Sequence, residues 1–544
     1  MKDSTFSQNE RSRFIEILSN ENSSPVFDLC IVGGGITGAA IARDAALRGL
    51  HTLLIEKDDF AQGTSSRSSK LVHGGIRYLE NFEFGLVAES TRERALLWKH
   101  APELVKPLGF VFPTYKNSRL PLWKLDIGVW LYDILSFFRS PSLHKLFFRD
   151  RTLKKEPALR NDQLVGSVFY WDAATDDGLL TLANIIDAHN NGAFCLSQAK
   201  LKSVDWNPKN SLGPDFAHKI HIEAKDFKQD STKQILFTAK ARSVVSATGP
   251  WTDEFLGHAV GRPSTAPKKM APTRGSHIVV SAKKIPINSA IVLTHPTDGR
   301  VLFGIPWEGF TVVGTTDVFD NQNPDTVRIS ADEINYLVQA CAFFFPNHPI
   351  EAHDILSAWS GLRPLLAPPD SASASEISRE HVIEWKDPGF LMIAGGKLTT
   401  HREMAEQAVD RILAETQSWE IPLKHGKVFD CLTHARKLPL VLGGRKIPSS
   451  ISDLTFEVLD DMCKTQMILH LEDLLVRRTE IFYKDTQNGL EKINQIREPL
   501  CSILGWTENR WQIELNNYKT YVDFNFLEPK RNYTSLLGVS KIKG

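Results

Sequence analysis

Hydrophobic and polar positions divide the chain into segments of different period. After a polar stretch, residues 1–25, the run Phe27-Asp28-Leu29-Cys30-Ile31-Val32 predicts a buried strand. It leads directly into Gly33-Gly34-Gly35-Ile36-Thr37-Gly38 and a helical pattern, Ala39 to Arg48, closed by Gly49. A second apolar run, Thr52-Leu53-Leu54-Ile55, ends in Glu56. Phe84 to His100 and Leu179 to Asn191 read as helices, the latter stopped by Gly192 and followed by a strand, Phe194 to Leu196. Ala241 to Ser246 predicts another strand, ending in Ala247-Thr248-Gly249 and Pro250-Trp251. From Lys269 to Val318 the pattern changes to short strands, among them His277–Val280, Val301–Phe303 and Thr311–Val313, which suit a mostly antiparallel sheet. Ser330-Ala331-Asp332-Glu333 is a capping box that opens a helix. Phe390 to Ala394 again runs into glycines, Gly395 and Gly396, before a helix from Arg402 to Leu413. Beyond about residue 430 the pattern is mostly helical: Met467, Ile468, Leu471, Leu474 and Leu475 share a face, and Thr507 caps a helix bearing Trp511, Leu515, Tyr518 and Val522.

The first strand–glycine–helix unit carries the sharpest chemical signal. Gly33 permits a tight turn, Gly35 lets a pyrophosphate approach the backbone, and Gly38 lets the helix pack closely on the strand. Amide groups at the helix start face such phosphates, and Glu56, ending the next strand, is placed to accept hydrogen bonds from a ribose. These parts in register predict a dinucleotide site without saying which dinucleotide. Gly63 to Leu79, dense in hydroxyls and glycine, suits close passage of backbone along a flat ring and a polyphosphate. Gly249, after the Ala241–Ser246 strand, suits close approach to the same cofactor.

Composition narrows the class. At 544 residues the chain exceeds one typical core, so two or three domains are expected. With 64 basic and 64 acidic residues the net charge is zero, which argues against nucleic acid as a partner bound by bulk charge. The six cysteines, at 30, 195, 341, 431, 463 and 501, are too scattered for a redox pair or zinc, so no metal is expected and buried free thiols fit a reducing compartment. Residues 1–25 lack the apolar core of a signal peptide and are expected to form a flexible arm, with a short helix near Arg13 to Leu18. No run is long and apolar enough to span a membrane, which predicts a protein kept inside the cell. Leu120 to Phe148 has two readings. Its Trp123, Trp130, Phe137, Phe138, Phe147 and Phe148, interleaved with Lys124, Arg139, Lys145 and Arg149, suit an interfacial membrane helix, but also a buried helix pair, which is the favoured reading.

Eight motifs in order, GGGITGAAIARDAALRG, TSSRSSKLVHGGIRYLE, SATGPWTDEF, RGSHIVV, FGIPW, VVGTTD, SGLRPL and IAGGKLTTHREMAE, resemble the FAD-dependent glycerol-3-phosphate dehydrogenases, from about Phe27 to Ala414 and more weakly beyond. These are respiratory enzymes similar in fold to the D-amino-acid-oxidase class. The resemblance implies an α/β fold: a Rossmann-like FAD domain in segments of about 26–100, 165–260 and 355–415, an inserted mostly antiparallel substrate domain of about 101–164 and 261–354, and a C-terminal helical domain, 431–544. It implies oxidation of sn-glycerol 3-phosphate to dihydroxyacetone phosphate, with electrons passed to a membrane quinone from a peripheral position on the cytoplasmic face. An oxygen-using oxidase of glycerol 3-phosphate, or of an amine or amino acid, stays open as the alternative, as does a homodimer. A catalytically dead flavin-binding protein is disfavoured by intact His277, Arg363 and Lys397.

Residue by residue, the resemblance carries Arg77, Tyr78, His277, Arg363, Arg379 and Lys397 to the substrate pocket. Arginine suits a phosphate because its fork binds bidentately. His277 is the best candidate base, since a neutral imidazole takes a hydroxyl proton, and Arg363 and Lys397 stabilise charge developing on the oxygen. Expected around FAD are Gly33, Gly35, Gly38, Glu56, Thr64, Ser65, Ser69, Lys70, His73, Gly74, Gly249, Trp251, Gly396, Leu398 and Thr399. His401 departs from the aromatic that relatives commonly carry there.

Overall fold

Two sheets with different patterning build the molecule. In a computed structural model, residues 5–20, 24–207, 217–228, 231–260, 268–367, 380–418, 440 and 447–542 are described. The continuous apolar runs make a parallel core in the order Phe390–Gly395, Ser231–Ser246, Val26–Val32, Thr52–Ile55, Phe194–Leu196. Such strands are apolar throughout because both faces are covered. Helices Ile36–Leu47, Asp177–Asn190 and His401–Ser418 pack together against one face. His381–Asp387 adds an antiparallel edge, and Ala199–Asp205 with His218–Lys228 extends the long Ser231–Ser246 strand as an antiparallel arm. Among the described residues the second sheet has ten strands, nearly all antiparallel, with Thr273–Ser281 paired to Phe310–Gly314 and Ile355–Arg363. Helix Ala331–Phe344, opened by the expected capping box at Ser330, covers part of it.

Several expectations need correction. Leu164–Thr175 pairs with Val105–Tyr115 and Leu71–Val72 in the antiparallel sheet, so the nucleotide segment expected from 165 resumes only at helix Asp177–Asn190. Ile355–Arg363 likewise belongs to the antiparallel sheet, not to the nucleotide segment 355–415. The described part of residues 1–25 is not a loose arm. Ser7 caps a helix, Gln8–Ser19, whose Phe14, Ile15 and Leu18 are buried, while buried Arg11 donates to the Ser197 and Gln198 carbonyls. Phe6 is tied by backbone hydrogen bonds to Lys464 and Met467.

Leu120 to Phe148 does not form the favoured buried pair. Helix Leu122–Leu135 buries Leu122, Leu125, Val129 and Tyr132 against the antiparallel sheet. Its other face leaves Trp123 62% exposed, the following turn leaves Phe137 70% and Phe138 57% exposed, and Phe148, ending the strand Lys145–Phe148, is 71% exposed. Among the described residues, no helix is long and apolar enough to cross a membrane. The region after 447 is mostly helical, with Thr507 capping Glu508–Val522 as expected; Met467, Ile468, Leu471, Leu474 and Leu475 are buried, but Met467, at positive φ, and Ile468 precede the helical segment and do not share its face.

Candidate active site

Four parallel strands end at one edge of their sheet, where open α/β sheets bind ligands. There Gly33, Glu56, Ala247 to Gly249 and Gly395–Gly396 line a cavity of about 1310 Å³ that runs on between the two sheets. The glycine turn is demanded by packing. Gly33 has φ of +113°, and a Cβ there would sit 2.5 Å from the Ala247 carbonyl oxygen. A Cβ on Gly38 would lie 1.9 Å from the Gly33 carbonyl oxygen. Helix Ile36–Leu47 therefore starts hard against the strand, with no side chain of Gly35 covering its amides; the first, of Ile36, donates to Ser65 Oγ at 2.9 Å. Glu56 accepts from Gly34 N–H at 2.7 Å and Asp58 N–H at 2.9 Å. Burial, aided by Asp58, pushes its carboxyl up to about 7 despite those bonds.

The hydroxyl-rich loop crosses from this wall to the other. Thr64 donates to the Leu362 carbonyl at 2.6 Å, and Ser69 Oγ lies 2.8 Å from His277 Nε2. His277 sits mid-strand, 2% exposed, stacked on Trp359 at 4.9 Å. Burial first, then Arg363 and Lys70, lowers its pKa to about 3, so the ring is held neutral. Arg363 ends the neighbouring strand and donates to Thr315 Oγ1 at 2.8 Å and Asp317 at 3.2 Å. Gly275 makes room for that guanidinium, since a Cβ would meet it at 2.6 Å. Opposite, Lys397 caps the second glycine turn with its ammonium 3.8 Å from the centre of the Tyr78 ring. Arg77, Tyr78, His277, Arg363 and Lys397 thus line one cavity together with Thr64, Ser65, Ser69, His73, Gly249, Trp251, Gly396, Leu398 and Thr399.

Three expected residues do not line the cavity: Gly38, which serves to pack the helix on the strand, Lys70 and Gly74. The Lys70 ammonium bonds buried Asp177 at 2.7 Å and does not line the cavity; burial opposes its charge, but Asp177 outweighs that and raises its pKa. Gly74 also stays out of the lining: its N–H donates to Tyr132 and Asp172, and a Cβ would strike the Tyr132 hydroxyl. Arg379 lies outside the described residues. Sequence reasoning passed over Arg67, Asp172, Arg300 and Asp317, all of which line the cavity. Arg67 and Asp317 stood inside the quoted TSSRSSKLVHGGIRYLE and VVGTTD runs; nothing local marked Asp172 or Arg300.

Residues 28–402 match the family model described as FAD dependent oxidoreductase. The chain belongs to the FAD-dependent oxidoreductases. Among relatives, aerobic glycerol-3-phosphate dehydrogenase of Staphylococcus epidermidis is 32% identical over 541 residues, covering 91% of this chain and 94% of that one. The solved glycerol-3-phosphate dehydrogenase of Bacillus halodurans complexed with FAD is similar with a TM-score of 0.69 and 27% identity, covering 96% and 99%. L-α-glycerophosphate oxidase of Mycoplasma pneumoniae, at 19% identity and TM-score 0.53, covers 72% and 95% and shares the fold. This flavoenzyme is of the glycerol-3-phosphate dehydrogenase or oxidase type. Its cavity fits FAD: a glycine turn and helix start for the pyrophosphate, a carboxylate at the second strand end, and volume beyond the usual single-ligand pocket.

Proposed function

We propose that the enzyme oxidises sn-glycerol 3-phosphate to dihydroxyacetone phosphate and delivers the electrons to a membrane quinone. The observation that supports this is that Arg363, Lys397 and Arg77 line the same cavity as neutral His277, the cavity whose glycine turn fits FAD. Several cations suit a phosphate dianion better than the single carboxylate of an amino acid, which one clamp would hold. Bound FAD supplies the hydride acceptor. His277 receives the proton of the substrate hydroxyl, oriented by Ser69 at 2.8 Å and the flat face of Trp359. Burial first, and then Arg363 and Lys70, keep the ring unprotonated before substrate arrives; a base this weak must gain basicity in the complex, and an incoming dianion offsets the part of the shift that comes from the two cations. Arg363, fixed by Asp317 and Thr315, and Lys397, braced by Tyr78, hold the phosphate and the developing negative oxygen.

The exposed aromatics around Leu122–Leu135 support a peripheral position on the cytoplasmic membrane face, with Lys124, Arg139, Lys145 and Arg149 toward anionic head groups. Turnover with glycerol 3-phosphate is to be measured against a short-chain quinone and against oxygen, with glycerol as control substrate. Quinone reduction that outpaces peroxide formation, and no turnover of glycerol, supports the reading. Peroxide in step with substrate consumed makes the enzyme an oxidase; equal rates on glycerol remove the phosphate clamp.

A further inference from the structure

The family match ends at residue 402, yet the C-terminal helices reach into the cofactor side of the molecule. Their point of entry is the segment from Asp473 to Lys484. Arg477 Nε donates to Asp59 Oδ2 at 2.5 Å, and Arg478 donates through Nη1 to Oδ2 and Nη2 to Oδ1, both at 2.6 Å. All three side chains are 2% exposed or less. The arginines are themselves fixed: Arg477 to Glu472 and Asp473, Arg478 to the Gln466 and Met467 carbonyls.

What they grip is the loop that follows Glu56. Lys57, Asp58, Gln62 and Gly63 of that loop line the cavity. The Asp59 N–H donates to Gln62, and the Ala61 N–H donates to the Gly34 carbonyl in the glycine turn itself. Phe60, fully buried, fills the space beside Gly34. The same C-terminal segment meets the substrate side through Tyr483, whose ring lies 5.0 Å from Trp359, the residue stacked on His277. An interior ion pair of this kind is a poor source of net stability, because desolvation offsets its attraction; it is better suited to fixing one geometry.

We propose that the Asp473–Lys484 segment is a clamp for the bound dinucleotide, with Arg477 and Arg478 as positioning residues that hold the Asp59 loop in the shape that retains FAD. The proposal rests on FAD as the cofactor. Coupling between two sites is reciprocal, so FAD must in turn tighten the clamp. Amide hydrogen exchange is to be followed in the full-length wild-type chain, stripped of FAD and reloaded. Exchange across residues 473–484 should slow when FAD is added; an unchanged rate there, with protection confined to residues 33–70, would overturn the proposal. In parallel, Asp59→Asn and the milder Arg478→Lys should raise the FAD dissociation constant by about tenfold and about threefold, through lost preorganisation, read by flavin fluorescence on the folded proteins. Variants that melt earlier but hold FAD within twofold of wild type would make the ion pair a mere buttress. A wild-type chain that takes up no FAD would defeat the cofactor assignment instead.

Discussion

The two walls of the cavity recognise by opposite means. The nucleotide wall is made of backbone and missing side chains: Gly33 and Gly38 work because no atom stands where a Cβ would. The side proposed to take the substrate presents long charged side chains: Arg363 at the end of an antiparallel strand, Arg77 in the turn Ile76–Asn81, and Lys397 after the second glycine turn of the parallel sheet. A wall of close approach accepts any dinucleotide with the right curvature. A wall of placed charges selects a substrate. Changes on the two sides should therefore separate cofactor retention from turnover.

The largest separation is expected from His277→Asn, which should lower kcat by about 10²- to 10⁴-fold, the usual worth of a positioned base, with FAD content unchanged. Arg363→Ala should lower kcat/KM for glycerol 3-phosphate by about 10²-fold, about 3 kcal/mol, again with full FAD. The converse test is Gly38→Ala. Its methyl must displace the Gly33 carbonyl, and overpacking of that order costs about 1–3 kcal/mol, so FAD binding should weaken by about tenfold while substrate KM at saturating FAD stays put. Loss of turnover without loss of FAD in this variant would erase the distinction between the walls.

The walls should also differ in their response to pH. His277 has a folded pKa of about 3, below its unfolded value near 6.5, so the unfolded chain binds the extra proton. Its contribution to stability is present above pH 6.5 and is lost as pH falls toward 3. Glu56 is shifted the other way, to about 7 from 4.5, so its contribution is present below 4.5 and is lost as pH rises through 7. Thermal midpoints measured across pH should show a shallower acid slope in His277→Asn, the shares of buried His218 and His401 remaining, and a gain in stability near pH 7, relative to wild type, in Glu56→Gln. The smallest effect on chemistry belongs to Phe137→Ser with Phe138→Ser. These residues are exposed, so turnover in detergent should hold, while liposome binding falls by about tenfold or more as two rings' worth of apolar surface is withdrawn. Unchanged liposome binding would put the docking surface elsewhere.

Local patterns were readable where local physics decides. Helix Phe84–His100, the Ser330 capping box and the positive φ of Gly33 follow from spacing and steric need within a few residues. What escaped depends on partners far along the chain. Lys70 turns from the cavity because Asp177, 107 residues away, takes its charge. Leu164–Thr175 has a pattern compatible with either sheet, and only pairing with Val105–Tyr115 assigns it. The polar N-terminal stretch hid a buried face whose apolar residues are three, Phe14, Ile15 and Leu18, too few to dominate its composition. The aromatic segment is the plainest case, since the same rings serve a core or a surface, and the fold turned them outward.

The central claim is that glycerol 3-phosphate reduces the flavin directly, through contacts that need its phosphate. Anaerobic titration of the purified yellow protein with glycerol 3-phosphate, glycerol and glycine, followed by flavin absorbance, tests it most directly. The predicted result is stoichiometric bleaching by glycerol 3-phosphate, none by the other two at the same concentration, and restoration of colour on adding a quinone. Bleaching by glycine, or equal bleaching by glycerol, would contradict the account.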